Sequence, residues 1–80
     1  MNVPEGWSEA DDALAREFSF AGFREAIAFV GRVADLAEAE DHHPDIDIRF
    51  KCVTLRWSTH SAGGVTERDR ELAARSAELA

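Results

Sequence analysis

The stretch from Asp45 to Thr59 constrains this chain most, because only one arrangement gathers its apolar side chains on a single surface. As one strand it would run to about fifteen residues, beyond the usual range of roughly 3–10. Its alternation also fails at Cys52-Val53, where two apolar residues are adjacent. A two-residue turn at Lys51-Cys52 removes both difficulties. Phe50 then faces Val53, Ile48 faces Leu55 and Ile46 faces Trp57, which makes one wholly apolar face. On the other face Asp47 meets Arg56 and Arg49 meets Thr54. Lys-Cys is a poor turn dipeptide beside Asn-Gly, yet the hairpin is the better reading. Continued further, the same register brings His43 opposite His60, with Cβ atoms roughly 5 Å apart. Pro44 lacks a ladder donor, so strict pairing ends there and proximity remains.

The flanking segments follow from the same patterns. Met1 to Glu5 reads as a loose lead-in. Gly6 to Phe20 reads as two short strands, with Trp7 on the first, a turn at Asp11-Asp12, and Leu14, Phe18 and Phe20 alternating on the second. Arg16 interrupts that alternation. Ala21 to Glu40 is alanine-rich and free of proline, hence a helix, with Ser19 as a candidate cap. Phe23, Ile27, Val30, Ala34 and Ala37 share one stripe of it; Ala26, Phe29, Val33 and Leu36 form a second beside it. Together they span about half the cylinder, wider than the roughly 100° arc of a surface helix. Two explanations stay open: a helix buried across the whole arc, or one stripe on the sheet and the other against a second subunit. Ser61 to Val65 is a loop. Thr66 then caps a last helix, and Asp69 at its third position completes a capping-box pattern. Leu72, Ala73, Ser76, Ala77 and Leu79 give that helix a weak, small-residue apolar face.

Eighty residues make one domain, residues 1–80, and a domain this small is marginally stable alone. One cysteine permits no internal disulfide, so oligomerisation is the expected route to stability. The net charge of −7, from sixteen acidic and nine basic side chains, argues against nucleic acid and anionic membranes as partners. No apolar run is long enough for a signal peptide or a membrane span, so a cytoplasmic protein is expected.

All three histidines belong to one ordered set: Glu38, His42-His43-Pro44, Phe50, His60 and Asp69. Histidine exchanges protons near neutral pH, so such a set points to acid–base catalysis. A metal site is the rival. Adjacent histidines in extended chain point to opposite faces, and neither His-Glu-x-x-His, nor His-x-His, nor a partner for Cys52 is present. Glu38 stands where it could reach the histidines, and a solvated helix-end carboxylate is equally compatible with its position. Asp69 is accounted for by capping alone, and Trp7 and Trp57 by core packing, although either indole could stack on a flat ligand.

The ordered set resembles the signature of the pterin-4a-carbinolamine dehydratases. Phe18-x-Phe20-x-x-Phe23, the run from Val33-Ala34 to Ala37-Glu38, and Thr59-His60 followed by Gly63-Gly64-Val65-Thr66 are similar to that family as well. The resemblance covers Trp7 to Ala73. It implies an α+β fold with a four-stranded antiparallel sheet, helices on one face, and assembly as a homodimer or homotetramer. The family's helix ahead of the tryptophan is expected to be absent. The activity it implies is dehydration of 4a-hydroxytetrahydropterin to quinonoid dihydropterin, with no cofactor. His42, His43 and His60 would surround the pterin as catalytic residues, with Glu38 and Asp69 in support. Trp7, Asp41, Pro44, Ser58, Thr59 and Ser61 would contribute binding contacts. The alternative is a non-catalytic module that binds or assembles other proteins on the same scaffold.

Overall fold

The computed structural model describes residues 3–80, so the start of the expected lead-in, Met1 and Asn2, lies outside it. The elements are β1 (Ser8–Ala10), β2 (Ala13–Ser19), α1 (Phe23–Glu40), β3 (Asp45–Arg49), β4 (Cys52–Trp57), a 3₁₀ turn (His60–Ala62) and α2 (Glu67–Ala77). The strands form one antiparallel sheet in the order β1-β2-β4-β3. Leu14 and Phe18 of β2 and Val53, Leu55 and Trp57 of β4 point to the face that both helices cover. The fold is the α+β arrangement that the family resemblance implies, a four-stranded antiparallel sheet with helices on one face.

The first hairpin turns at Asp11-Asp12 as expected, because both residues are left-handed, with φ of 54° and 63°. A tight two-residue hairpin asks for φ > 0 at both central positions, and aspartate tolerates it better than most residues. Trp7 precedes β1 rather than lying on it. Arg16 interrupts the alternation of β2 for a local reason: its guanidinium sits 4.6 Å over the Phe18 ring. The side chain lays its charge on an aromatic face and stays at the edge of the core.

The second hairpin forms, but one residue earlier than the sequence suggests. Its turn is Phe50-Lys51, and the pairs are Arg49 with Cys52, Ile48 with Val53, Asp47 with Thr54, Ile46 with Leu55 and Asp45 with Arg56. Asp47 therefore meets Arg49 at 3.1 Å instead of Arg56. The cause lies outside the hairpin. Cys52 pairs with Ser19 of β2, and the Phe20 N–H donates to the Lys51 carbonyl at 2.9 Å. Cys52 is thereby a ladder residue and unavailable for the turn. Phe50 then takes a left-handed φ of 54° and is 69% exposed as a residue. That conformation costs an L-residue about 1–2 kcal/mol, partly offset in glycine by its greater chain entropy. Phe50→Gly is expected to raise stability by about 0.5–1 kcal/mol, a Tm increase of about 2–8 °C for a domain of this size. A lower Tm in calorimetry would show that contacts of the phenyl ring outweigh the backbone strain.

Helix α1 starts later than Ala21, with Gly22 as its N-cap. Ser19 belongs to β2 and does not cap it. The wide apolar arc divides. Ala26, Phe29, Val33 and Ala37 are buried on the sheet, where Phe29 meets Phe18 and Phe20 at ring-centroid distances of 4.9 and 5.0 Å. Phe23 and Ile27 remain 53% and 41% exposed, and Ala34 is exposed too. On edge strand β3, Ile46 and Ile48 are also uncovered. Helix α2 buries Leu72, Ala73 and Ser76 against the sheet, as its pattern predicts. The segment after β4 is less irregular than a loop, because the 3₁₀ turn occupies its first half and Gly63 closes that turn at φ 72°.

Candidate active site

Three chain reversals build the site. The first ends α1. Asp41 adopts φ 52°, its N–H reaches the Glu38 carbonyl at 3.3 Å, and the His42 N–H reaches the Ala37 carbonyl at 3.1 Å. These two bonds satisfy two carbonyls of the last helical turn and turn the chain back toward the sheet, carrying His42 and His43 with it. Pro44 follows, and β3 begins at Asp45. The second reversal is the 3₁₀ turn after β4, which presents His60 at its first position. The third is the start of α2, where Asp69 lies fully buried.

Asp69 joins these segments. Its Oδ1 is 2.7 Å from His42 Nε2. Its Oδ2 accepts the Thr59 hydroxyl at 2.7 Å, the Thr66 N–H at 2.9 Å and the Thr66 hydroxyl at 3.2 Å. Burial pushes the Asp69 carboxyl up. The hydrogen bonds from Thr59, His42 and the Thr66 backbone, with the charge of His42, outweigh burial and hold it below its ordinary value. The carboxylate that caps α2 is therefore also the partner of a histidine, so capping alone does not account for it. On its other side the His42 ring lies parallel to the Trp57 indole, with an interplanar angle of 8° and centroids 5.9 Å apart. His43 Nε2 is 2.6 Å from Glu38 Oε2, and this pair is exposed.

Asp41, His42, His43, Pro44, Asp45, Ser58, Thr59, His60 and Ser61 line one open cleft of about 480 Å³. A second, polar trough of about 300 Å³ shares Asp45, Ser58, Thr59 and His60 with it, and continues toward Asp11, Asp12, Arg56 and Gly64. The three histidines thus meet in one place, and His43 and His60 converge as the sequence predicts, although the register that suggested it differs from the observed one. Continuing the observed register would set His43 opposite Ser58. Among the described residues, no group of three or more His, Cys, Asp or Glu side chains is arranged to hold a metal ion.

The expected site residues separate into layers. Asp41, Pro44, Ser58 and Ser61 line the cleft with the histidines. Thr59 also lines it, but its hydroxyl is committed to Asp69. Asp69 lies beneath the cleft, and Glu38 reaches it through His43. Trp7 does not line the cleft. It is buried in the core, edge-on to Phe18 with ring centroids 5.9 Å apart, because β1 carries it to the far side of β2 from β4. Trp57 is the residue the sequence undervalues: it is core, as predicted, yet its face also supports His42.

The family model described as pterin 4 alpha carbinolamine dehydratase matches residues 1–79. A Thermomicrobium roseum protein that carries a provisional pterin-4-alpha-carbinolamine dehydratase name is 59% identical over 94% of this chain and 81% of its own length. A Mycobacterium protein with the same provisional name is 53% identical over 89% of this chain and 78% of its own. The crystal structure of a transcriptional coactivator/pterin dehydratase from Brucella melitensis superposes with a TM-score of 0.89 at 36% identity, covering 95% of this chain and 83% of that one. A pterin dehydratase-like protein identified as a RuBisCO assembly factor in the alpha-carboxysome superposes with a TM-score of 0.80 at 25% identity, covering 95% and 90%. With its fold, its cleft and a match along nearly its whole length, this chain belongs to the pterin-4a-carbinolamine dehydratase family.

Proposed function

We propose that this protein dehydrates 4a-hydroxytetrahydropterin to quinonoid dihydropterin and water, in the recycling of a pterin cofactor in the cytosol. The observation that carries this reading is His42, held by a buried carboxylate in a cleft that also contains His43 and His60. The reaction breaks the C4a–O bond, delivers a proton to the departing hydroxyl, and removes the N5 proton as the C4a=N5 double bond forms. It needs one proton donor and one acceptor, and no electron transfer. His42 bonds Asp69 through Nε2, which leaves Nδ1 as the nitrogen that exchanges a proton with substrate. Asp69 fixes that tautomer and stabilises the imidazolium when it forms. His42 and His60 share the proton transfers, and His43, tied to Glu38, orients the pterin.

The test is the disappearance of enzymatically generated 4a-hydroxytetrahydropterin, followed by ultraviolet absorbance. Acceleration by catalytic amounts of protein is expected. A folded protein that leaves the spontaneous rate unchanged would turn the reading toward a non-catalytic assembly role.

That second reading has an observation of its own. The exposed stripe of α1 forms a shallow groove at Phe23, Arg24, Ile27 and Ala28, and two structural relatives are described as a coactivator and an assembly factor. An interaction module has no need of a buried carboxylate aimed at a histidine, so the dehydratase is the better reading. The same stripe, with Ile46 and Ile48, supports a homodimer or homotetramer, because a chain this small gains stability by covering such surface. Ile27→Asp is expected to shift the species seen by light scattering toward the 8.8 kDa monomer. An unchanged mass would place the contact elsewhere.

A further inference from the structure

Ser76 is a polar residue on the buried face of α2, where Leu72 and Ala73 otherwise pack on the sheet. A buried hydroxyl needs partners for both its donor and its acceptor sides. Its hydrogen goes back to the Ala73 carbonyl at 2.9 Å, a bond that any helical serine can make. The acceptor side is the informative one. It takes the indole N–H of Trp57 at 3.2 Å. Trp57 is itself fully buried, and it is the ring on which His42 lies parallel.

We propose that Trp57 is a positioning residue for His42, and that Ser76 locks the indole in that role. Helix α2 then aims the imidazole twice: Asp69 holds it at one nitrogen, and the Ser76-anchored indole supports its face. The two constraints differ in kind. A hydrogen bond at Nε2 fixes one corner of the ring but leaves it free to rotate about that contact. A parallel aromatic floor fixes the plane. Only together do they place Nδ1, and proton transfer is sensitive to such placement, since a displacement of about 1 Å can cost two orders of magnitude. Asp69 and Ser76 lie about two helical turns apart on one face, so a single rigid element supplies both. The buried serine, which packing alone leaves unexplained, gains a reason. The consequence for rate rests on the dehydratase reading; the orientation of His42 is a property of the unliganded protein.

The experiment reads His42 directly, by proton and nitrogen NMR of its ring, alongside kcat and KM. In the wild type the carbon-bound ring protons are expected upfield of free histidine, through the indole ring current, with Nε2 carrying the proton in the neutral form. Ser76→Ala leaves the indole N–H without its acceptor, and the ring-current shift should shrink. Its kcat should fall about tenfold while KM moves little, and Ser76→Thr, which keeps the hydroxyl, should restore both. Wild-type ring signals and kcat in a folded Ser76→Ala protein would overturn the proposal. So would unshifted His42 protons in the wild type, a result that needs no variant to fold. The two readings fail separately. Stacked signals without dehydration would overturn the dehydratase and support the packing of His42; unstacked signals in an active protein would overturn the positioning role alone.

Discussion

His42→Ala is expected to lower kcat/KM for 4a-hydroxytetrahydropterin by about 10²–10⁴, the range that a positioned general acid or base supplies. The variant loses the one imidazole bonded to a buried carboxylate, while His43 and His60 stay in the cleft. It also strips a partner from Asp69 Oδ1. Leaving a buried acceptor unpaired costs about 1–3 kcal/mol, so Tm should fall and activity must be measured well below it. Two comparisons separate chemistry from stability. Added imidazole should restore part of the rate in His42→Ala if the cavity admits it to the same position. His43→Ala, whose partner Glu38 is exposed, should change KM more than kcat. A His42→Ala protein with kcat/KM within threefold of wild type would remove His42 from the mechanism.

The second large effect is at Asp69. Asparagine keeps the shape but offers one acceptor and one donor group where the carboxylate offers acceptors on both sides. Three donors converge on Oδ2, from Thr59 and from the Thr66 backbone and hydroxyl. The amide oxygen is therefore expected to remain there and the NH₂ to face His42. The imidazole must then accept at Nε2 and carry its proton on Nδ1. Neutral His42 would present the wrong tautomer to substrate. The expected loss in kcat is at least about 10²-fold, as in other sites where a carboxylate sets a histidine tautomer. Stability should fall by about 1–3 kcal/mol through the altered buried hydrogen bonds.

The pH dependence of that stability gap is a separate check. The Asp69 carboxyl titrates below its ordinary value of 3.8 in the folded protein. Its charged form therefore contributes stability that is fully present above that value and is lost as pH falls through the lower folded value. The difference in unfolding free energy between wild type and Asp69→Asn should narrow as pH falls below about 4. A gap that is constant down to pH 2 would mean that the charge of Asp69 contributes nothing to the fold.

Much of this protein was legible before any fold was known, and the legible part has a common character. The apolar face of each strand was readable because side chains alternate along a strand whatever it pairs with. The observed β3–β4 turn moved by one residue, yet Ile46, Ile48, Val53, Leu55 and Trp57 kept their shared face, because the move preserved that alternation. The Asp11-Asp12 turn and the Thr66–Asp69 cap were readable for the same reason, since each is satisfied by residues within a few positions of one another. The identities of the clustered histidines also came through, carried by their order and spacing.

What the sequence left open depends on neighbours far along the chain. Whether Cys52 is turn or strand was decided by Ser19, which pairs with it across β2 and β4. Both stripes of α1 are apolar enough to be buried, and the limited width of the sheet chose Ala26, Phe29, Val33 and Ala37 while leaving Phe23 and Ile27 outside. Trp7 went to the core because β1 lies on the side of β2 away from β4. Asp69 became both cap and histidine partner because α2 starts beneath the point where α1 ends. By itself the sequence determined the periodicities, the local turns and caps, and the chemical groups at hand, all of which are set within about one turn or one strand. Register, the choice between equivalent faces, and the aim of His42 were decided by the tertiary structure, because each is set by packing between segments that local backbone geometry does not couple.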